Sequence, residues 1–372
     1  MTNINLINGP AGGETCEVVS SVYESAPAAE PTSTRLADLT TLRVGGPAGR
    51  LVMALTSDEL VETVRDADSR GEPVLLLGAG SNVVVSDEGF DGVVVVVATR
   101  GVTADVSDCA GAFVTVAAGE PWDRVVDLTL SREWIGLETL SGIPGATGAT
   151  PIQNVGAYGA DVSQTIARVR TWDRRDGKYV TFAASDCGFG YRSSRFKEEP
   201  GRHVVVEVSF QLELGPLSAP VRYAELAAAL GIQVGERAPL GQVRDAVLAL
   251  RRSKGMVLDA EDHDTWSAGS FFTNPLLPPE AAAALPEGAP RYTQPDGTVK
   301  TSAAWLIDHA GFAKGYGTGP ARLSGKHTLA LTNRGDATAA DILRLARDVR
   351  KGVREHFGVT LVAEPVLVGC EL

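Results

Sequence analysis

Apolar positions recur at two spacings along the chain, and these spacings predict alternating helices and strands. A helix is predicted after Thr56-Ser57-Asp58-Glu59, which has the form of a capping box, with an apolar face of Leu60, Val61, Val64 and Ala67. Short apolar runs at residues 74–77, 93–97 and 113–118 are typical of buried strands. The first part of the chain therefore reads as a small α+β region.

The same alternation continues to the end of the chain. Helices are predicted at residues 121–133, which has Pro in its first turn, and at 239–254, 302–309 and 336–357. The last of these has the most regular helical period and is followed by Gly358. Strands are predicted at residues 167–171, 178–181, 203–212, 328–332, 359–362 and 366–368.

Composition limits the possible functions. A chain of 372 residues can form two or three domains, and 44% apolar with 22% charged residues is typical of a globular protein. The 34 basic and 46 acidic residues give a net charge of −12, which argues against nucleic acid as a partner. A basic site for a small anionic substrate is still compatible with this charge.

The cysteines and the N-terminus indicate a reducing compartment. The four cysteines form no C-x-x-C pair, so neither a zinc site nor a disulfide framework is expected, and a cytoplasmic location is favoured. Residues 1–31 lack a signal-peptide pattern, and no stretch approaches the roughly 18 apolar residues of a membrane span. Residues 1–34, rich in Ser, Thr, Ala, Pro and Glu, are predicted to form a mobile extension.

Three glycine-rich stretches are candidates for a ligand-binding site. They are residues 136–159, which we call the glycine loop, residues 45–49 and residues 78–82. Glycine lets the backbone approach a ligand and offer it N–H groups, so three such stretches suggest a long, phosphate-bearing ligand. A buried glycine-rich turn without a ligand is the alternative for any one of them.

Two common nucleotide motifs do not fit. Gly78-Ala79-Gly80 lacks the third glycine of a dinucleotide fingerprint and is followed by three valines instead of a helix start. Gly325-Lys326-His327 has His where a phosphate-binding NTPase loop needs Ser or Thr for magnesium.

Further motifs make a family resemblance visible. Together with the three stretches, they closely resemble the UDP-N-acetylenolpyruvoylglucosamine reductase family, flavoenzymes of peptidoglycan precursor synthesis, over roughly residues 36–369. The motifs are Gly190-Tyr191-Arg192-Ser193-Ser194-Arg195-Phe196-Lys197, Ser267-Ala268-Gly269-Ser270-Phe271-Phe272-Thr273-Asn274-Pro275 and Ala363-Glu364-Pro365.

The resemblance implies an α+β fold. A two-lobed FAD-binding region of the PCMH (vanillyl-alcohol-oxidase) type is expected at residues 35–100 and 101–240. A C-terminal α+β substrate-binding domain is expected at 241–372, with the return of its final strands to the first lobe left open. The enzyme is expected to be a monomer without a metal.

The implied cofactor is FAD. Because the three stretches contain no His or Cys, we expect it to be noncovalent. The residues matched to FAD binding are Arg43, Gly45, Gly46, Gly78, Gly80, Ser81, Asn82, Ser141, Gly142, Pro144, Gly145, Gly148, Ala149, Gln153, Asn154, Gly156 and Tyr158.

The implied reaction is the NADPH-dependent reduction of UDP-N-acetylglucosamine enolpyruvate to UDP-N-acetylmuramate. Hydride passes from NADPH to FAD and from reduced flavin N5 to the vinyl carbon, and a proton then reaches the adjacent carbon. Arg192 and Glu364 match the positions that stabilise the enolate, and Ser270 matches the proton donor. Without this context, Arg192 would more often be a surface residue and Ser270 a turn residue.

Substrate binding is matched to Tyr191, Tyr223, Lys254 and Asn274. Lys254 offers a point charge for phosphate, and Tyr223 offers a stacking or hydrogen-bonding side chain. Two features depart from the family pattern: Thr273 stands where Lys is frequent, and the segment around Tyr223 differs from better-known members. The presence of this segment favours the subgroup with a substrate-closing loop.

Two other functions are compatible with the residues. The chain could be another flavin oxidoreductase of the same superfamily, acting on an alcohol or aldehyde, or a noncatalytic protein that binds flavin or a nucleotide sugar. Reduction of the flavin by NADPH and its reoxidation by the enolpyruvyl sugar would distinguish the leading hypothesis from both.

Overall fold

A computed structural model describes residues 16–372, which form two compact units. The first unit contains the described residues up to Glu30, together with Arg50–Ala79 and Gly92–Arg251. The second contains Pro31–Gly49, Gly80–Asp91 and Arg252–Leu372. Each unit is thus assembled from three separate stretches of the chain.

The helices of the described residues are α1 (Ser57–Ser69), α2 (Trp122–Ser131), α3 (Thr150–Gln153), α4 (Arg195–Glu198), α5 (Ala224–Leu230), α6 (Leu240–Ser253), α7 (Pro279–Ala283), α8 (Ala303–His309) and α9 (Ala339–Phe357). Short 3-10 helices lie at Leu36–Leu39, Glu138–Leu140, Thr147–Ala149, Val162–Gln164, Ala184–Asp186 and His263–Thr265.

The strands are β1 (Val19–Tyr23), β2 (Ala48–Ala54), β3 (Val74–Leu77), β4 (Val83–Val85), β5 (Phe90–Val97), β6 (Val102–Ser107), β7 (Gly111–Ala117), β8 (Trp134–Ile135), β9 (Gly156–Ala157), β10 (Ala160–Asp161), β11 (Ile166–Asp173), β12 (Lys178–Ala183), β13 (His203–Leu214), β14 (Leu276–Leu277), β15 (Tyr292–Thr293), β16 (Val299–Lys300), β17 (Ala321–Leu323), β18 (Leu331–Asn333) and β19 (Val366–Val368).

A seven-stranded antiparallel sheet is the centre of the first unit. Its strands lie in the order β1-β6-β7-β13-β11-β12, with β8 beside the end of β13. The helix α2 packs on this sheet, because Trp122 is buried and its ring lies 5.8 Å from that of Phe210 on β13. This packing brings the N-terminal end of α2 to the glycine loop, which follows in sequence.

Two smaller layers complete the first unit. Helix α1 begins with the capping box that the sequence predicts, since the Thr56 side chain accepts the Glu59 N–H, and its apolar face packs with strands of the β2-β5-β3 sheet. Helices α5 and α6 share a small core of their own, formed by Val221, Leu226, Ala227, Ala238, Val243 and Val247.

The core of the second unit is built around α9. Thr338 and Asp341 form a capping box at its start, and Gly358 ends it in the left-handed conformation. Its buried face, including Ile342, Leu345 and Val349, packs with the β17-β18 hairpin and helix α8. Strand β19 pairs in parallel with β4, joining the last strand to a segment near residue 84.

The N-terminal region differs from the prediction. Strand β1 lies inside the predicted mobile extension and pairs with β6 along its whole length. It is an edge strand whose side chains are mostly exposed, with Val22 74% exposed, so the sequence carries no amphipathic signal for it. Residues 1–15 of the predicted extension lie outside the described residues.

The cysteine prediction was wrong. Cys16 and Cys109 form a disulfide with a Cα–Cα distance of 6.3 Å, which joins the residues before β1 to the turn between β6 and β7. Cys187 is a buried thiol and Cys370 a half-buried one. The pairing depends on β1 lying beside β6, which sequence spacing alone does not show.

Other boundaries also moved. The predicted strand at 359–362 is wrong, because these residues form no ladder and Leu361 is buried in the core instead. The predicted strand at 328–332 begins later, at Leu331. The predicted domain boundaries do not coincide with the two units, since Pro31–Gly49 and Gly80–Asp91 group with the C-terminal stretch.

Within the described part of the chain, none of the helices combines the length and apolar character needed to cross a bilayer. Among the same residues, no cluster of three or more His, Cys, Asp or Glu side chains is arranged to hold a metal ion.

Candidate active site

The glycine loop lies in the first unit, where the backbone of residues 118–123 holds one side of it. We call residues 118–123 the clamp segment. Three backbone hydrogen bonds join the two: Gly148 N–H to Ala118 O at 2.7 Å, Thr147 N–H to Glu120 O at 2.8 Å, and Trp122 N–H to Gly145 O at 3.0 Å. The loop is therefore fixed by its own protein before any ligand binds.

Several glycines matched to FAD binding are required by close backbone packing. A Cβ on Gly46 would lie 2.2 Å from Asp87 O, and one on Gly80 would lie 2.0 Å from Leu39 O. A Cβ on Gly148 would lie 2.6 Å from the Cβ of Ala118. These separations are too short for any side chain, so glycine is needed at all three positions.

Some amides that the sequence assigns to a ligand are used inside the protein. These are the N–H groups of Gly46, Gly142 and Gly148, which donate to Ser86 O at 2.8 Å, Asp123 Oδ1 at 2.6 Å and Ala118 O at 2.7 Å. Their glycines therefore shape the loops, whereas the amides that could bind pyrophosphate are others.

The turn after β3 supplies such amides. Among residues 16–372, the N–H groups of Gly80, Ser81 and Asn82 make no hydrogen bond to a protein acceptor. Three consecutive amides in a turn, with Gly80 in the left-handed region (φ +61°), match the way a backbone binds an anion. This arrangement fits the pyrophosphate of FAD.

Arg43 lies in the same unit as this turn and is held in an unusual backbone conformation. Its φ is +55°, and the Asn333 side-chain amide donates to the carbonyls of Leu42 and Arg43 at 3.1 Å each. Its guanidinium lies 3.5 Å from the ring centroid of Trp266. Stacking on an indole orients a guanidinium and leaves its in-plane N–H groups directed outward.

Arg192 is anchored to the glycine loop within the first unit. Its guanidinium donates to Gly156 O at 2.8 Å and to Asn154 O at 3.3 Å, and its own φ is +52°. The Asn154 side chain in turn donates to Gly190 O at 2.9 Å. The loop that carries Arg192 and the glycine loop therefore hold each other.

Lys197 supports the same arrangement. Its ammonium donates to Gln153 Oε1 and to the carbonyl of Arg192, each at 2.9 Å. A cation that holds both a glycine-loop side chain and the Arg192 backbone stabilises the left-handed conformation at Arg192. The sequence motif contains Lys197, but its spacing alone does not assign it this role.

Ser270 and Glu364 lie on adjoining backbone segments of the second unit. The Glu364 N–H donates to Phe271 O at 2.9 Å, and Phe272 and Ala363 form a bridge. The Asn82 side chain approaches Glu364 O at 3.5 Å, and the Val366 N–H donates to Asn82 O at 3.0 Å. This unit thus brings the backbone segments of the predicted proton donor and carboxylate beside Asn82, in the turn described above.

The residues matched to substrate binding are placed separately. Tyr223 precedes α5 and is partly exposed, and its ring meets that of Tyr158 edge-on with centroids 5.6 Å apart. Tyr191 is also partly exposed, and Lys254 follows the last residue of α6. Asn274 accepts the Ala303 N–H at 2.9 Å through its side-chain oxygen, so it also supports the start of α8.

Two groups near Tyr223 have altered acidity. Burial raises the pKa of the Tyr158 hydroxyl to about 12, and the charge of Arg251 opposes this rise. Burial also lowers the pKa of Arg251 to about 10, while Tyr158 and Asp123 act in the other direction. At neutral pH, Tyr158 is therefore a hydrogen-bond donor and Arg251 is a cation.

The predicted site residues thus divide between the two units, each described by itself. Arg192, Asn154, Gly156 and Tyr158 lie together in the first unit, and Arg43, Ser81, Asn82, Ser270 and Glu364 lie in the second. Sequence reasoning missed Asp123, Lys197 and Trp266, each of which contacts one of the matched residues. Only Lys197 lies inside a recognised motif, so only this residue carried a sequence signal.

Family models match two parts of the chain. The model described as the UDP-N-acetylenolpyruvoylglucosamine reductase C-terminal domain matches residues 261–368, and the FAD binding domain model matches residues 48–183. The second match contains the glycine loop, and the first contains Ser270 and Glu364.

Whole-length relatives agree with these matches. The UDP-N-acetylenolpyruvoylglucosamine reductase of Cutibacterium acnes is 62% identical over 91% of this chain and 90% of its own length. That of Streptomyces coelicolor is 57% identical with the same coverage. Among solved structures, the UDP-N-acetylenolpyruvylglucosamine reductase of Thermus caldophilus matches with a TM-score of 0.61 and 25% identity, covering 94% of this chain and 99% of that one.

Proposed function

The chain belongs to the UDP-N-acetylenolpyruvoylglucosamine reductase family, and from this membership we infer that it reduces UDP-N-acetylglucosamine enolpyruvate to UDP-N-acetylmuramate with FAD as its cofactor. It is a UDP-N-acetylmuramate dehydrogenase that serves peptidoglycan precursor synthesis. The end-to-end similarity to the curated reductases is the observation that carries this conclusion, and it favours neither of the two alternative functions.

FAD, when bound, supplies the two-electron chemistry that links oxidation of NADPH to reduction of the vinyl carbon. The residues that would hold it are the matched ones of the three glycine-rich stretches. The consecutive amides of Gly80, Ser81 and Asn82 support a role in pyrophosphate binding. Arg43, held on Trp266, supplies a fixed cation in the same unit.

Arg192 and Glu364 are proposed to stabilise the enolate. When hydride adds to the vinyl carbon, negative charge spreads onto the substrate carboxylate, and fixed donors lower the energy of that state. The contacts of Arg192 with two glycine-loop carbonyls fix its guanidinium in advance, which is the property such a group needs. Both roles rest on the family positions of these residues.

Ser270 is proposed to donate the proton to the carbon adjacent to the one that receives hydride. A serine is a weak acid, so this step requires groups that stabilise the serine alkoxide left behind. Hydrogen bonds hold the backbone on both sides of Ser270: Gly269 N–H donates to Ser267 Oγ at 3.2 Å, and Phe271 N–H donates to Leu329 O at 2.7 Å. These bonds support a fixed position for the hydroxyl.

Tyr191, Tyr223, Lys254 and Asn274 are proposed to bind the UDP-sugar. The partial exposure of Tyr191 and Tyr223 leaves both rings accessible to a ligand. NADPH is the proposed hydride source, the enzyme is proposed to act as a monomer, and the cytoplasm is its proposed location. The support for this location is the use of NADPH and a nucleotide sugar. The cysteine pattern lends none, because Cys16 and Cys109 are paired.

The test follows the flavin absorbance of the purified protein through both half-reactions. In the wild type, NADPH bleaches the flavin band and the enolpyruvyl sugar restores it without oxygen. In Ser270→Ala, reduction by NADPH persists, while reoxidation by the sugar slows by roughly 10²- to 10⁴-fold because the proton donor is lost.

Thr273→Ala is the matched control, since Thr273 lies in the same segment. Its hydroxyl donates one long hydrogen bond, of 3.4 Å to Val362 O, among the residues that the structure describes. It should reoxidise at a rate close to that of the wild type. Unchanged turnover in Ser270→Ala would refute the proton-donor role. A wild-type flavin that NADPH reduces but the sugar does not reoxidise would refute the proposed function.

A further inference from the structure

The clamp segment holds the glycine loop mainly through its backbone, and Gly142 is an exception. Its N–H donates to the side chain of Asp123, at 2.6 Å from Oδ1, and its φ is +70°. Most of the other hydrogen bonds between the clamp segment and the glycine loop join backbone atoms, so side-chain substitutions would leave them in place. The position of Gly142 instead depends on the identity of a side chain.

The same carboxylate is held from another element of the first unit. Arg244 on α6 donates from Nη1 to Asp123 Oδ1 at 2.8 Å and from Nη2 to Oδ2 at 2.9 Å. Such a two-point contact between a guanidinium and a carboxylate fixes both the distance and the orientation of the carboxylate. Asp123 thus joins the glycine loop to α6, although the two partners are far apart in sequence.

The charges of this cluster favour the ionised pair. Burial raises the pKa of the Asp123 carboxyl, but hydrogen bonds from Arg244 and Gly142 outweigh burial and bring the pKa below its usual value. The hydrogen bond to Asp123 is the main reason that the pKa of Arg244 is raised. Asp127 adds a second carboxylate, 3.3 Å from Arg244 Nε.

The pair also resolves a conflict of charge. A loop that helps to hold an anionic cofactor such as FAD is poorly served by an uncompensated carboxylate one hydrogen bond away, because like charges repel. Arg244 compensates the charge of Asp123, and Asp123 Oδ1 accepts both Arg244 Nη1 and the Gly142 N–H. The loop therefore gains a rigid anchor, Asp123, whose own charge is balanced by Arg244.

We propose that Asp123 and Arg244 are positioning residues for FAD: Asp123 sets the conformation of the glycine loop at Gly142, and Arg244 orients and neutralises Asp123. This inference rests on the proposed function, because it assumes that the glycine loop holds FAD. Neither residue needs to touch the cofactor, since both act through the loop.

The test measures the FAD dissociation constant of the full-length protein by flavin fluorescence, together with its stability to urea. Asp123→Asn keeps the shape of the side chain but removes its charge and sets an amide against Arg244. We expect it to raise the FAD dissociation constant about tenfold, as expected for the loss of a charge-assisted hydrogen bond. Arg244→Gln should act in the same direction, and the double variant should be no worse than the poorer single variant.

Asp68→Asn is the matched control. Asp68 forms a comparable two-point pair with Arg174 in the same unit, with similar exposure, and neither residue contacts the glycine loop. It should lose a similar amount of stability yet leave the FAD dissociation constant within about twofold. This comparison separates positioning of the loop from a general loss of stability.

The outcomes separate the positioning role of Asp123 and Arg244 from the proposed function. If Asp123→Asn binds FAD as tightly as the wild type while the holoenzyme still reduces the sugar, the positioning role is refuted and the proposed function stands. If Asp68→Asn weakens FAD binding as much as Asp123→Asn, the effect is one of stability and the positioning role is again refuted. If the wild type binds no FAD, the proposed function itself fails.

Discussion

Gly80→Ala is the sharpest test of the turn that carries the proposed pyrophosphate-binding amides. The new Cβ would lie 2.0 Å from Leu39 O and 2.7 Å from Thr40 Cα, both of which are backbone atoms. The carbonyl of Gly80 also accepts the Thr41 N–H at 3.1 Å, so the two segments are tied together and have little freedom to separate.

The cost has two parts that can be estimated separately. Placing a Cβ on a residue with φ +61° costs about 1 kcal/mol for the left-handed conformation. Forcing a methyl group against fixed backbone adds roughly 1–3 kcal/mol. Gly80→Ala should therefore destabilise the second unit by about 2–4 kcal/mol.

Gly71→Ala is the matched control, because Gly71 has φ +65° and no described residue beyond its two chain neighbours has an atom within 4 Å of the position that its Cβ would occupy. It should pay the conformational cost alone, about 1 kcal/mol. The difference between the two variants then measures the steric overlap and not the backbone conformation.

Hydrogen exchange followed by mass spectrometry locates each effect. Peptides covering residues 31–49 and 80–91 should exchange faster in Gly80→Ala, and peptides covering α1 should do so in Gly71→Ala. The FAD dissociation constant should rise in Gly80→Ala only. Equal destabilisation by the two variants would refute the steric argument, and unchanged FAD binding in Gly80→Ala would refute the role of the turn.

Two further predictions concern stability. His203 is buried with no hydrogen-bond partner at either ring nitrogen among the described residues, and burial lowers its pKa. Because the folded state therefore favours the neutral ring, stability should fall as the pH drops below about 6.5, where the unfolded chain binds a proton. In urea unfolding, His203→Leu should weaken this pH dependence, whereas substitution of the exposed His309 should leave it unchanged. A wild-type stability that does not fall between pH 7 and pH 5 would contradict the argument. Reduction of the exposed Cys16–Cys109 disulfide, which closes a separation of 93 residues, should lower the free energy of unfolding by up to about 4 kcal/mol. Cys16→Ser should abolish this response to reductant. A wild type whose stability does not change in dithiothreitol would count against the estimate.

Local sequence signals predicted those elements that local interactions determine. Helix α9 was predicted because its apolar residues recur at helical spacing and Gly358 ends it, and α1 was predicted from its capping box. Strand β3 is a short apolar run that is partly or fully buried along its length. Each of these signals lies within or directly beside the element it defines.

Contacts between distant residues were not predictable in the same way. The partner of β4 is β19, and no local pattern in three valines indicates which strand will lie beside them. Asp123 and Arg244 both look like ordinary surface charges on amphipathic helices, and only the fold brings them together. The pairing of Cys16 with Cys109 depends likewise on an edge strand with no amphipathic signal.

The candidate site shows the same division. The motifs predicted roles for Arg192, Ser270 and Glu364, and these stay predictions. The sequence did not show which glycine N–H groups are already bonded within the protein. Gly46 and Gly148 are glycines because other backbone passes close to them, and their N–H groups are already used. A glycine-rich motif indicates only that another group lies too close for a side chain. That group can belong to a cofactor or to the protein itself.

The parallel pairing of β4 with β19 has a consequence for synthesis of the chain. Val83, Val84 and Val85 leave the ribosome long before residues 366–368 exist, and at about 5–20 residues per second the delay is roughly 15 s to 1 min. Throughout this interval, a three-valine segment that ends fully buried has no native neighbour on that side. The segment therefore stays unpaired on that side until synthesis is almost complete, and deletion of residues 366–368 should leave it without this neighbour permanently.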